Sequence, residues 1–572
     1  MRHPLRPPKG RAIRHCAGEA KPEHFVMWGV ASLALATLAL VVPLQAQVTF
    51  DRVLRGDREP QNWLSYSGTL MNQRFSPLTQ ITTDNAKNLQ QQWVWQARSL
   101  EKFEATPLVI DGVMYTVEAP NNVVALDAAT GRPFWTYNYT PAPEGRPCCG
   151  KVNRGLAILG DTLYMGTIDA HLIAIDAKSG KPVWKTQVAK ASERYSITSS
   201  PTIVKDKVII GTGGGDGPIR GYIAAFDART GQEAWRFYTI PGPGEPGNET
   251  WAGDSWKTGG VGVWNAGAYD PETNLVFFGT GNPAPDWDGS KRRGDNLYSD
   301  SVVALDADTG KLKWHYQFTP HDELDYDATQ VPVLADIEWP EGTASSRSGQ
   351  QSSSRKVMLW ANRNGIMYVL DRVTGEFLKG KPYVKTNWLD GFDAKGRPNR
   401  VKFPTPEGTL IRPHVHGGTN WAPPSFSPRT GWFYVATWEN SGIVAVEGQF
   451  PRTASSNTQQ TAMGQTNLVP FFNDDTEPYG VVRAYDPKTL DQVWEFKMSD
   501  ITWGGTLVTA GDIVFSGGRE GYVLALDARS GKLLWRASVG GQVNSAAMSY
   551  AVNGKQYVAI AAGNALFAYA LP

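Results

Sequence analysis

The sequence predicts an all-β protein folded as a single eight-bladed β-propeller, and three observations carry that prediction. A pattern of the form Ala-x-Asp-x-x-Thr/Ser-Gly-x-x-x-Trp recurs along the chain, and its strong early copies follow one another about every fifty residues. The composition, with 59 Gly, 21 Trp and 21 Tyr in 572 residues, suits many short strands, tight turns and aromatic packing.

The copies run from Ala125-Leu126-Asp127 to Trp135, from Ala174-Ile175-Asp176 to Trp184, from Ala225-Phe226-Asp227 to Trp235 and from Ala304-Leu305-Asp306 to Trp314. A weaker copy, Val369-Leu370-Asp371 to Gly375, precedes Ala484-Tyr485-Asp486 to Trp494 and Ala525-Leu526-Asp527 to Trp535. Each reads as a strand, a turn supplied by Asp and Gly, and a second strand ending on Trp. The interval between Asp371 and Asp486 has room for a further blade. Ser425-Phe426-Ser427-Pro428-Arg429-Thr430-Gly431-Trp432-Phe433-Tyr434 reads as its degenerate hairpin, bringing the count to eight. The N-terminal strand Gln91-Gln92-Trp93-Val94-Trp95 is expected to close the ring against the C-terminal strands around Tyr557-Val558-Ala559-Ile560-Ala561, which removes exposed edges. The polar stretches 342–355 and 453–467 read as surface insertions.

The net charge of +1 argues against a nucleic-acid binder, which needs a basic surface to displace counterions. Residues 1–46 read as an export signal: a basic region with Arg2, Arg6, Lys9, Arg11, Arg14 and Lys21, an uncharged apolar run at 26–42, then Pro43-Leu44-Gln45-Ala46. Cleavage near Ala46 would leave a soluble periplasmic propeller over 47–572. The competing reading is an uncleaved anchor, because the run is near the lower length limit for a span. Beyond Cys16 in the leader, the cysteines are the adjacent pair Cys148-Cys149. An oxidising compartment permits a bridge between them, yet neighbouring Cα atoms lie closer than disulfides prefer, so two thiols and a vicinal disulfide both stand open on geometry. No Cys-x-x-Cys-His occurs, so the sequence carries no c-type haem motif.

The densest chemistry is Thr319-Pro320-His321-Asp322-Glu323-Leu324-Asp325-Tyr326-Asp327, which places four carboxylates in six residues. An acidic run is ordinarily a solvated loop. If Asp325 to Asp327 continue as extended strand, however, their side chains project to one side and repel unless a cation sits between them. Outside the repeats the remaining candidates are Glu104, Cys148, Cys149, Arg154, the run Gly213-Gly214-Gly215-Asp216, Trp264, Asn282, Arg363, Asn420 and Trp503. The glycine run lacks the Gly-Lys-Ser/Thr ending of a phosphate loop.

Jointly these residues resemble the pyrroloquinoline quinone (PQQ) dependent methanol and ethanol dehydrogenases, quinoproteins built on an eight-bladed propeller, from about Asn62 to Tyr569. The resemblance rests on Cys148-Cys149-Gly-Lys-Val-Asn-Arg154-Gly-Leu-Ala, on Gly279-Thr280-Gly281-Asn282-Pro283-Ala284-Pro285, and on Pro320-His321-Asp322-Glu323 through Asp325. It implies a vicinal Cys148–Cys149 disulfide against one face of the quinone and Trp264 against the other. Glu104, Arg154, Thr198, Gly214, Gly215, Asn420 and Trp503 would hold the cofactor, and Asp216, Asn282, Asp325 and Asp327 the metal. Asp325 is implied as catalytic base, with Arg363 near the quinone oxygens.

The activity implied is oxidation of a small alcohol to the aldehyde, with electrons passed to a separate soluble c-type cytochrome; the oligomeric state stays open, a homodimer being one option. The alternatives are a quinoprotein acting on aldehydes, sugars or polymeric alcohols, and a non-catalytic propeller scaffold resembling the outer-membrane assembly lipoproteins. Asp327 favours a lanthanide over Ca²⁺, because the lanthanide-using relatives carry Asp two residues after the base and a trivalent ion balances crowded carboxylates better. Three departures from the pattern are Asp216 where Glu is usual, Gly213 where Ser is common, and Leu324 just before the base, which is expected to reshape the substrate pocket.

Overall fold

A computed structural model describes residues 47–339, 353–446 and 478–572, together with the backbone of Ser353 and of two short strands at Gln460–Thr461 and Gly464–Gln465. The export-signal reading, and most of the two polar insertions, fall outside the described residues. Eight sheets follow one another in chain order over 108–137, 157–187, 202–238, 268–317, 333–382, 425–497, 507–538 and 548–570. Each is a four-stranded antiparallel blade, the seventh gaining a fifth strand from the parallel pair Phe75–Ser76. The only α-helix among the described residues is Phe50–Leu54.

The predicted blade count holds, with two corrections to its parts. The Ser425–Tyr434 hairpin is not a blade of its own: it pairs through Trp432–Glu439 with Tyr479–Asp486, so it supplies the first two strands of the blade that ends on Trp494. The eighth blade is the closure itself. There Gln90–Gln96 pairs with the last strand, Ala565–Ala570, rather than directly with the strand holding Tyr557 to Ala561, which lies one position further in.

The repeat residues explain how blades dock. In each full copy the Ala faces the Trp directly across the two strands, as in Ala125 opposite Trp135 and Ala525 opposite Trp535, so a small side chain makes room for an indole. The Asp side chain closes the turn: one oxygen of Asp127 accepts from the backbone N–H groups of Ala129 and Thr130. The indole then reaches the neighbouring blade, where Trp135 Nε1 donates to Ala177 O and Trp184 Nε1 to Ala228 O.

The turn glycine is required twice over. Gly180 has φ +70°, and a Cβ there would stand 2.5 Å from the Trp135 ring of the blade before. The weak copy tests this logic within one chain. Lys379 occupies its Trp position, and in the blade that follows the turn position is Leu490, at φ +60°, instead of glycine. Without an indole to receive, no glycine is needed.

Candidate active site

A cavity of about 380 Å³ collects side chains from every junction between consecutive blades. Lys102 and Glu104 precede the first blade; Cys148, Cys149 and Arg154 follow it; Thr198, Trp264, Asp325 with Asp327, Asn420, Trp503 and Asn544 come from the later junctions. Gly214, Gly215, Asp216, Asn282 and Arg363 enter from turns within blades. All the residues singled out in the sequence as cofactor, metal or catalytic candidates therefore line one space, because each lies where the chain turns at the end of a strand. Its volume suits a small-molecule site.

One edge is built on Arg154. Its guanidinium lies over the Trp264 and Trp421 rings at 5.0 and 4.8 Å, pairs with Glu104 at 2.9 Å, and donates from Nη1 to Thr198 Oγ1 at 3.0 Å and Trp264 O at 3.3 Å. Burial pushes the Glu104 carboxyl up, with Arg154 opposing. A second edge is aromatic: Trp503 meets Trp438 edge-on at 4.4 Å and His416 at 5.6 Å. Asn420 is fixed by its own neighbours, donating to His416 O and accepting from Trp421 N.

The acidic stretch supplies the third edge, in a conformation the sequence reading did not anticipate. Residues 318–332 form an irregular loop, and Asp325 sits at φ +57°, a left-handed conformation costly for a residue with a Cβ. Asp322 holds it there, its two oxygens accepting from Leu324 N at 2.9 Å and Tyr326 N at 2.7 Å. The loop is anchored outside by Arg400, which bonds His321 O and pairs with Glu323 at 3.1 Å. Of the four carboxylates only Asp325 and Asp327 reach the cavity. They meet on one guanidinium: Arg363 donates from Nη2 to Asp325 at 3.0 Å, from Nη1 to Asp327 at 2.5 Å, and from Nε to Val415 O at 2.6 Å. The shared direction expected from an extended strand is achieved instead by a turn. Leu324 corrects a further expectation, for it is fully buried in a hydrophobic cluster and does not line the cavity.

Asp327 also accepts from the Asn282 main-chain N–H at 3.0 Å, an approach that a Cβ on Gly281 would block at 2.5 Å. Burial raises the Asp325 carboxyl well above the usual range, with Arg363 opposing and Asp327, Asp286 and Asp216 adding to the rise. Burial likewise pushes Asp327 up to about 6 against Arg363. Those same carboxylates outweigh burial at Arg363 and raise its pKa. Asp325 Oδ1 is buried without a hydrogen-bond partner.

Asp216 is half-buried and lines the cavity, with no hydrogen bond to another of the described residues. Gly213 packs against Ser196, whose hydroxyl would lie 2.9 Å from a Cβ placed there, so Ser196 stands close to where the usual serine would be. The sulfurs of Cys148 and Cys149 lie 2.7 Å apart, and Cys149 has φ +66°. Sequence reasoning missed Asp286, Trp421, His416 and Lys102. Trp421 had a signal, adjacency to Asn420; Asp286 had none, since Pro285-Asp286-Trp287-Asp288-Gly289 reads as an ordinary turn.

The oxygen donors that line the cavity with Asp325 include the carboxylates of Asp216 and Asp327 and the Asn282 amide. Among the described residues no three Asp, Glu, His or Cys side chains gather closely enough to cage an ion by themselves. A bound ion here would take further oxygens from a ligand, and the unpartnered Asp325 Oδ1 and free Asp216 fit that role, as the Arg154 edge fits an anionic planar one.

A closed propeller whose cavity joins paired carboxylates on one arginine and a second arginine stacked on two tryptophans suits a flat, anionic ligand. The family model described as "PQQ: Glucose/ethanol/alcohol dehydrogenase, beta-propeller domain" matches residues 63–380 and 397–558. The chain is 38% identical to the quinohemoprotein alcohol dehydrogenase ADH-IIG of Pseudomonas putida, over 94% of this chain and 78% of that one. It is 33% identical to the lanthanide-dependent methanol dehydrogenase of Methylacidiphilum fumariolicum, over 95% and 91%. Solved structures agree: that of ADHIIG from Pseudomonas putida superposes with TM-score 0.84 at 36% identity, covering 92% of this chain and 82% of the other, and a europium-containing methanol dehydrogenase with 0.82 at 30%, covering 91% and 100%. The chain belongs to the PQQ-dependent alcohol dehydrogenase family and is a quinoprotein alcohol dehydrogenase.

Proposed function

We propose that this enzyme oxidises a small primary alcohol to the aldehyde in the periplasm, with PQQ and one cation, a lanthanide in preference to Ca²⁺, in the axial cavity. The observation that carries this is the convergence of Asp325, Asp327 and Arg363 beside Asn282 and Asp216, with one Asp325 oxygen buried and unpartnered. Relatives at 33–38% identity named as alcohol dehydrogenases, one of them lanthanide-dependent, support the substrate class and the metal. The non-catalytic scaffold reading and the aldehyde, sugar or polymer reading are not favoured.

Arg154, with Glu104 and Thr198, would bind the cofactor's carboxylates, and Trp264 would stack on its ring. Asp216, Asn282, Asp325 and Asp327 would hold the ion. Bound there, PQQ with its cation would supply a polarised carbonyl as the hydride acceptor for alcohol oxidation. Asp325 takes the hydroxyl proton. A cation favours its ionised form, reversing the rise that burial imposes. Arg363 keeps both carboxylates oriented, and the tryptophan walls exclude bulk water. The vicinal Cys148–Cys149 bridge belongs to this proposal, as does electron exit to a separate c-type cytochrome.

The test is reconstitution of metal-free protein with PQQ plus La³⁺ or Ca²⁺, followed by absorption spectra and a dye-linked assay over an alcohol series. Turnover with La³⁺ above Ca²⁺, abolished for the ion by Asp327→Ala, is expected. Faster turnover with Ca²⁺, indifferent to Asp327→Ala, refutes the metal assignment, and stoichiometric NADH formation refutes the quinone reading.

A further inference from the structure

Asp286 lines the cavity, is 4 % exposed, and accepts a hydrogen bond from Asn282 Nδ2 at 2.8 Å. Its placement is rigid. Pro283 and Pro285 restrict the loop that carries it, and the fully buried Arg292 pins that loop from behind, bonding Pro285 O from Nε and Nη2 at 3.1 and 2.9 Å, Asn296 Oδ1 at 2.8 Å and Asp322 O at 2.5 Å. The same arginine therefore ties the Asp286 loop to the one that presents Asp325.

A carboxylate only accepts hydrogen bonds, whereas a side-chain amide has one accepting and one donating end. The hydrogen bond fixes which end is which: the Asn282 NH₂ faces Asp286, and its Oδ1 is turned away. No hydrogen bond engages that oxygen, and it is not sealed among the buried unpartnered atoms, so it remains open to the cavity.

We propose that Asp286 is a positioning residue of the cation site: it locks the Asn282 amide with its oxygen toward the ion. This rests on the metal assignment above. Partners that orient a ligand in this way typically matter 10- to 100-fold in metal affinity.

The experiment titrates PQQ-loaded protein with Eu³⁺ by luminescence, and with Ca²⁺ by competition, for wild type, Asp286→Ala, Asp286→Asn, Asn282→Ala and the double variant Asn282→Ala/Asp286→Ala. Eu³⁺ and Ca²⁺ affinity are both expected to fall about 10- to 100-fold in Asp286→Ala, and the double variant to bind within about threefold of Asn282→Ala, because the positioning effect vanishes once the amide is gone. Asp286→Asn preserves the shape of the side chain, so a matching loss there assigns the effect to orientation of the amide and not to a collapsed loop; the melting temperature of the metal-free variants guards the same point. Wild-type Eu³⁺ affinity in Asp286→Ala and Asp286→Asn, or losses that multiply fully in the double variant, overturns the proposal while leaving the metal site standing. Absence of Eu³⁺ and Ca²⁺ binding in the wild type overturns the metal site and this proposal together.

Discussion

Replacing Asp325 by Asn separates its role as proton acceptor from its role as a structural anion. The amide matches the carboxylate in shape and keeps an oxygen for Arg363 Nη2, which now lies 3.0 Å from it. Arg363 itself stays placed, because Asp327 and Val415 O hold its other two nitrogens at 2.5 and 2.6 Å. The cavity should thus survive while the base is lost. Removal of general-base assistance costs factors of about 10² to 10⁴, or about 2.7 to 5.4 kcal/mol of transition-state stabilisation. The assay is dye-linked alcohol oxidation by PQQ-loaded protein, with ion content measured on the same sample so that a lost ligand is not mistaken for a lost base. A kcat within threefold of wild type at full PQQ and metal loading would refute the assignment of Asp325 as base.

Three further outcomes are expected, two from the geometry and the cysteine one from the proposed function. Gly180→Ala should destabilise by about 2–4 kcal/mol, combining left-handed strain with a Cβ 2.5 Å from Trp135, whereas Gly431→Ala, with φ +72° and nothing within 4 Å, should lose only about 1–2 kcal/mol; equal losses in denaturant unfolding would contradict the docking role of the glycine. Cys148 and Cys149 should resist alkylation in exported, active enzyme, and their reduction should impair turnover more than stability, since the bridge closes a minimal loop; mass spectrometry finding two modified thiols in active protein would count against the disulfide. Burial, then His416 and Arg363, push His414 down to about 3, and its Nδ1 accepts from His416 N at 3.0 Å. Between about pH 6.5 and 3 the unfolded chain binds a proton that the folded chain refuses, so stability should fall with falling pH by at most about 1.4 kcal/mol per unit; His414→Gln should flatten that slope, and an unchanged slope would contradict it.

What could be read from the sequence divides along a physical line. The ring of blades was legible because docking is written in short-range repeats: the Ala opposite its Trp, the Asp that closes the turn and the Gly that receives the preceding blade's indole all sit within eleven residues. Even the exception is local, since Lys379 in place of Trp coincides with Leu490 in place of Gly one blade later. The Ser425–Tyr434 hairpin misled because a hairpin pattern says two strands are joined but not which sheet they join; only the pairing of Trp432–Glu439 with Tyr479–Asp486 settles that. The site was legible as a set of residues through resemblance, yet not as a geometry. An acidic run gives no indication that Asp322 will turn the backbone through a left-handed Asp325, or that Arg363, from the next blade, will gather two of the four carboxylates.

Asp286 marks the limit of such reading. Its neighbours Pro285 and Asp288-Gly289 are turn residues, and nothing local separates a solvated aspartate from one held against Asn282. What distinguishes it is Arg292, six residues on, whose guanidinium is wholly buried and spends its hydrogen bonds chiefly on main-chain carbonyls of two loops. A buried arginine among main-chain carbonyls leaves its charge unpaired by any direct ion pair, and the nearby carboxylates of Asp322, Glu323, Asp286 and Asp300 supply the compensation at longer range. Arg292 thus lets an acidic loop pack tightly beside the proposed cation site, and groups that would not touch an ion contribute to the charge around it. Arg292→Met should accordingly weaken Eu³⁺ binding in PQQ-loaded protein by loosening both loops, even though it removes a positive charge near a cation; tighter Eu³⁺ binding in that variant would show that simple charge repulsion outweighs positioning.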